Sequence, residues 1–463
     1  MFRLLLTLAV LCLAVTASAQ DHMQAPGTLE GRPDAQAASP VQQLIDAAPP
    51  GATVQVNGGR HTGDLIIDKP IRLVGTGRPT LVGSGGGSVV RVRADGVTLE
   101  GFDIDGRRGG DLGRDSSGIH VSASGVTIRD CRIRDALFGI YLREANDVTV
   151  ERCRIQGIPG RDPGEKGSAI HAYNSLRFTF LDNEIVDVRD GLYLQNSSNG
   201  IIRGNRVRDV RYGLHYMFSD DNLFEDNTFE NGAAGSAIMY SERIVFRRNR
   251  FVHNRGFASV GLLLQQCDDV LAEENFIGDN ARGIFLEGTY RNTFRRNIVA
   301  ESDIAVVLFD SARQTRFEGN VFLGNMAPLQ LSGKRTDTVF EGNYWSDNPE
   351  PDLDGDGTTD RPYRLSNVFD HFRGNLTAAD LFVDGFAAVA LGAAEQAFPI
   401  IQPPSVIDPV PLARPPALPG VVPPPVARGG GNAAGLALSG LSLVAGGTTL
   451  ARGRRGRRPA RMP

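Results

Sequence analysis

Histidine and methionine recur at one phase of a repeating strand in this chain. The residue that follows each Gly-Ile type pair, or its Ala-Ile variant, is successively His120, Tyr141, His171, Tyr193, His215, Met239, Leu263, Phe285, Val307 and Gln330. Met217 lies two residues beyond His215 and therefore points to the same side of a strand. Imidazole with thioether is a donor set for Cu(I), a soft ion. The spacing predicts a metal-contacting patch of His215, Met217 and Met239, with His171 and His120 further along the same column. An aromatic stack that only faces solvent or a protein partner is the competing reading. A carbohydrate lyase or epimerase would need Asp, Glu or Lys along such a groove for proton abstraction, and no column of them stands out.

The elements that must position this column are read from a tandem array between Gly96 and Trp345. Asn183, Asn205, Asn227, Asn249, Asn275, Asn297, Asn320 and Asn343 follow one another at steps of 22, 22, 22, 26, 22, 23 and 23. Cys131 and Cys153 hold the same slot in two preceding repeats. Each repeat carries two short alternating strands, such as Val126-Thr127-Ile128 and Gly139-Ile140-Tyr141-Leu142, bounded by Asn, Asp and Gly. Extended residues advance ~3.3 Å each, so such repeats must coil. A fixed short period marks a solenoid. The expected fold is all-β: a right-handed parallel β-helix of about ten coils, its asparagines stacked in a ladder. Residues 41–48 read as a short amphipathic helix that caps the open N-terminal end before Pro49-Pro50-Gly51.

Residues 1–19 read as a secretory signal, with Arg3, an apolar run and Ala17-Ser18-Ala19 at its end. Residues 20–40 then read as a linker, 41–375 as the solenoid with a C-terminal cap, and 376–398 as a helical segment. Residues 399–431 read as a Pro-rich linker outside the core. Residues 432–463 are weakly apolar and then Arg-rich, which fits either a marginal inner-membrane anchor or a basic tail. Cys131, Cys153 and Cys267 remain after the signal, too few for a disulfide scaffold, and stacked Cys131 and Cys153 are expected as buried free thiols. A formal net charge of −4 argues against nucleic-acid binding.

Extra loop length collects at one edge of the coils, beside the His/Met column: residues 105–117, residues 157–168, and the segments after Asn227 and Asn249. Loops on one edge of a rigid scaffold commonly carry binding. Asp352, Asp354, Asp356 and Asp360 resemble the first part of a calcium loop that lacks its closing Glu; an Asp-rich turn is the alternative. Cleavage after Ala19 would expose Gln20-Asp21-His22-Met23, in which His22 stands third from a free amine, a weak Cu(II) signal.

Three strings carry a resemblance over roughly residues 40–375. They are Gly213-Leu214-His215-Tyr216-Met217-Phe218-Ser219-Asp220-Asp221-Asn222, Ala237-Ile238-Met239-Tyr240-Ser241, and Asn343-Tyr344-Trp345 followed by the Asp352–Asp360 run and Arg361-Pro362-Tyr363. They resemble the NosD family of periplasmic β-helix proteins in nitrous oxide reductase maturation. The resemblance implies a non-enzymatic accessory protein on an ABC transporter made of a permease and its ATPase. It also implies partnership with nitrous oxide reductase, whose copper–sulfur centre is being built, and with a copper-chaperone lipoprotein. Carried onto this chain, the metal contacts are His215, Met217 and Met239, with His171 and His120 behind them. A carbohydrate-active lyase or epimerase and a metal-free adaptor between transporter and reductase are the competing functions, since the fold alone supports all three.

Overall fold

The computed structural model describes residues 39–365 and 406–418, apart from 110–115, 257 and 334–335. The signal segment, residues 376–398 and the Arg-rich tail lie outside the described residues, as does the Gln20–Met23 string.

The chain winds as a right-handed parallel β-solenoid of about 13 turns. Each turn contributes one strand to each of three parallel sheets, of 13, 13 and 12 strands. One turn shows the pattern: Thr179–Leu181 in the first sheet, Glu184–Val186 in the second and Asp190–Gln195 in the third. Two points differ from the sequence reading. The coils number about thirteen rather than ten, because the earliest, from Thr53 onward, carry no Asn in the ladder slot to mark them. Each turn also has three strands rather than two. The extra one is only three residues long, often with charged outer positions and one buried centre, as in Arg132–Arg134, and reads as turn.

The corner between the first two sheets fixes the stacking. Asn183 sits there after Asp182, whose φ of 52° turns the chain sharply. Its Nδ2 donates to Asn205 Oδ1 at 2.9 Å and to the Val150 carbonyl at 3.0 Å. The same amide-to-amide bond continues through Asn227, Asn249, Asn275, Asn297 and Asn320 to Asn343, all at 2.9 to 3.1 Å. Every Asn thus meets buried backbone needs that would otherwise cost desolvation energy. Cys153 continues the ladder from its backbone, donating N–H to Asn183 Oδ1 at 2.9 Å. Cys131, Cys153 and Cys267 are free and buried. The Cys131 thiol and burial together push the Cys153 thiol up, and burial pushes Cys267 up to about 12.

Both ends are closed. Helix α1 (Pro40–Ala47) starts on Ser39, whose Oγ accepts from Gln42 N–H, and buries Val41 and Ile45 in the core. The Gln42 amide pairs with both the N–H and the carbonyl of Ile66, replacing a neighbouring strand on the first coil. At the far end Asp408 receives the ladder. Its carboxylate accepts from Asn343 N–H at 2.9 Å, Asn343 Nδ2 at 3.0 Å, Gly342 N–H at 3.1 Å and Trp345 Nε1 at 3.1 Å. This corrects the reading of a linker outside the core for residues 406–418, the described part of 399–431. Val406 and Asp408 are buried, and Ile407–Asp408 pairs antiparallel with Tyr363–Arg364. A carboxylate is what Asn343 requires, because among the described residues no further coil offers it an amide oxygen.

Candidate metal site

The third sheet carries the chemistry on its outward face. In the strand Tyr212–Met217 the side chains of Leu214 and Tyr216 enter the core, so His215 and Met217 face outward. His120, Tyr141, His171, Tyr193 and His215 are directly paired in successive coils, as the sequence pattern predicts. Their rings form a continuous stack with centroid separations of 5.2, 4.5, 4.3 and 4.8 Å. The last contact is edge-on, at 85°, because His215 is turned by a separate partner.

Met239 lies elsewhere than the pattern predicts. Ala237 pairs with His215, and Met239 pairs with Met217. The cause is Gly235, which takes the place of Gly213 and shifts the Ala237-Ile238-Met239 string by two residues along the strand. The outward column one step on is therefore Tyr173, Gln195, Met217, Met239, Gln265 and Glu287. His215, Met217 and Met239 still share one face and adjacent places, and they are 5%, 6% and 4% exposed. His171 and His120 are not part of this group. Neighbouring strands stand about 4.8 Å apart, which puts His171 about 10 Å and His120 about 19 Å from His215. An ion bridging two donors holds them only about 4 Å apart.

Asp190 organises the histidine. It opens the strand one coil earlier and is fully buried, at 0% exposed. Its Oδ2 lies 3.2 Å from His215 Nδ1. Arg211 donates to the same carboxylate through Nε at 2.9 Å and Nη2 at 2.7 Å, and stacks its guanidinium over Tyr212 at 4.3 Å. Burial raises the Asp190 pKa, but His215 and Arg211 outweigh it and hold the carboxyl well below the usual carboxylate range. An ionised Asp190 takes the proton-bearing Nδ1, so in the neutral imidazole the lone pair lies on Nε2. Nε2 is buried and has no hydrogen-bond partner. Histidine ligands are commonly oriented by a carboxylate on the second ring nitrogen. Burial also pushes the neighbouring Tyr193 phenol up to about 12, so it stays neutral and donates to Gln195 Oε1 at 3.0 Å.

Sequence reasoning did not single out Asp190 or Arg211. Asp190-Gly191 has the look of a turn, while the structure makes it the start of a strand. The available signal was the slot itself: Ser168, Tyr212 and Ala234 occupy it in the adjoining coils, and an acid there is out of pattern.

The expected acidic turn is present in part. Carboxylate oxygens of Asp352, Asp354 and Asp356 lie within 4.8 Å of one another. Asp352 accepts from the N–H groups of Gly355 and Gly357, and Asp360 accepts from Leu353 N–H at 2.9 Å.

The region holding Asp190, His215, Met217 and Met239 falls within residues 158–350, which match the family described as periplasmic copper-binding protein (NosD). A probable ABC transporter binding protein NosD from Pseudomonas aeruginosa is 32% identical over 399 residues, covering 82% of this chain and 92% of the relative. The chain belongs to the NosD family. A second NosD relative, from Stutzerimonas stutzeri and with the same description, is 30% identical over 376 residues, covering 77% of this chain and 85% of its own. The Dettilon tailspike protein shares the fold at 13% identity and a TM-score of 0.50, over 64% of each chain. The A-module of mannuronan C-5 epimerase from Azotobacter vinelandii, at 15% identity, has a TM-score of 0.47 over 65% of this chain and 94% of its own. NosD proteins are thus described as periplasmic and copper-binding. Among the described residues no helix is long and apolar enough to cross a membrane.

Proposed function

We propose that this protein is a non-enzymatic accessory factor for maturation of the copper–sulfur centre of nitrous oxide reductase, and that Cu(I) is its cargo. In this reading it docks on an ABC transporter permease with its ATPase, at the periplasmic face of the inner membrane, and exchanges copper with a chaperone lipoprotein or the reductase. The C-terminal region is the segment through which it would touch the membrane. The observation that carries the copper step is His215 Nε2, buried and unpartnered, beside Met217 and Met239. Asp190 holds the ring in the tautomer that ligates, and the two thioethers favour a soft ion over Zn2+ or Mg2+. The sulfur atoms of Cys131, Cys153 and Cys267 are directed into the core, so thioether rather than thiolate sulfur serves this site.

Anaerobic Cu(I) titration of the purified protein against a competing chelator tests this. Tight binding that is lost in the His215→Ala/Met217→Leu/Met239→Leu variant supports the site. Equal binding by both proteins removes it, and turnover of uronate polymers by the purified protein would favour a carbohydrate-active enzyme instead. Calcium in the Asp352–Asp356 turn is a lesser part of the proposal. It should raise the melting temperature of the parent and not of Asp352→Asn/Asp356→Asn, and identical melting curves with and without calcium would dismiss it.

A further inference from the structure

In six successive coils the third-sheet strand ends or bends at one residue of positive φ, and these are Glu144, Asn174, Asn196, Phe218, Tyr240 and Gln266, with φ between 49° and 54°. The left-handed region suits Asn and disfavours a bulky side chain. Asn174 and Asn196 follow that rule, with an amide-to-amide bond of 3.2 Å between them. Phe218 and Tyr240 break it in the two coils that carry Met217 and Met239. Their rings stack at 5.1 Å and 14°, and they stay 49% and 41% exposed. Backbone strain at an exposed aromatic pair contributes nothing evident to folding, and such strain collects at functional positions.

The surface beside the pair is acidic. Asp220, Glu242 and Asp268 stack in three successive coils, two residues beyond Phe218, Tyr240 and Gln266. Arg243 touches the first two but is committed to a bidentate pair with Asp221 at 2.7 and 3.0 Å. Burial pushes the Asp268 carboxyl up, Arg291 draws it back, and Asp269 and Glu242 add to the rise. Aromatic residues are enriched in protein interfaces, and their faces attract cations. A row of carboxylates selects a basic partner and repels an anionic membrane.

We infer that Phe218 and Tyr240, with the Asp220–Glu242–Asp268 row, form the docking surface for a basic protein surface, that of the partner with which the metal is exchanged. The identity of the partner as an exchange partner rests on the copper reading above; the surface and its chemistry do not. Phe218 and Tyr240 directly follow Met217 and Met239 in the chain, so a partner seated on them stands beside the thioethers.

The test uses the full chain and its Phe218→Asn/Tyr240→Asn variant, with the copper-chaperone lipoprotein and nitrous oxide reductase immobilised in separate arms. Asn already occupies the equivalent corner in two coils, so the variant should melt at or above the parent temperature and keep its Cu(I) affinity. At least one arm should bind the parent, weaken as salt rises, and lose roughly thirtyfold or more in affinity with the variant. Asp220→Asn/Asp268→Asn should flatten the salt dependence. Equal binding by parent and variant in both arms, or no binding of the parent in either, overturns the inference. A parent that binds partner but no Cu(I) would instead count against the copper reading and leave the docking surface standing.

Discussion

An imidazole that donates from Nδ1 can ligate only through Nε2, so the Asp190–His215 pair decides what the site can do. Replacing Asp190 by Asn keeps the shape and removes the charge that selects the tautomer. Loss of such an orienting partner weakens metal sites by roughly 10–100-fold, and the Cu(I) affinity of Asp190→Asn should fall in that range. The same residue predicts an acid response. The native carboxyl lies below the ordinary range, so on acidification below about pH 4 the unfolded chain takes up a proton before the native one does. Stability contributed by Asp190 is therefore full above that pH and is lost as pH falls toward the native pKa. Urea midpoints measured at pH 3 and pH 6 should differ more for the parent than for Asp190→Asn; equal differences would deny the shift. The sequence carried the histidine and both methionines to the correct face because strand alternation is strict. It misplaced Met239 because Ala237 resembles the opening of the motif while Gly235 occupies it, and it hid Asp190 inside a dipeptide that normally signals a turn.

The strands are too short to hold themselves; their corners do that work. Asn249 Oδ1 accepts both the N–H and the Nδ2 of Asn227, and its own amide reaches the Phe224 carbonyl and Asn275. Asn249→Ala leaves these groups buried without partners and should destabilise by about 3 kcal/mol in urea unfolding. A cost below about 1 kcal/mol would mean that water replaces the amide. This level was the most legible one, since a single residue type at a fixed step defined the array. The charged three-residue strands of the second sheet were not, because one buried side chain in three gives no periodicity to read.

A solenoid without closed ends invites other chains onto its open strands. Here the N-terminal end is covered by α1 and Gln42, and the C-terminal end by Asp408 and the strand that carries it. Asp408→Ala should lower the melting temperature and raise light scattering at temperatures where the parent does not scatter, and a variant that melts lower without scattering would confine Asp408 to local stability. Composition concealed this closure, because proline on either side made 406–418 look like a tether. The ladder has one more consequence. Because Asn183 to Asn343 must meet coil on coil, the stack, as distinct from its edge loops, can lengthen or shorten only in quanta of about one turn, some 22 residues. A duplicated turn placed beyond Phe285 would carry the Asp408 stopper outward with it and leave Asp190, His215 and both thioethers where they are. The lineage of such a protein is therefore free to vary the distance between the site and its C-terminal stopper in discrete increments while the site itself stays unedited.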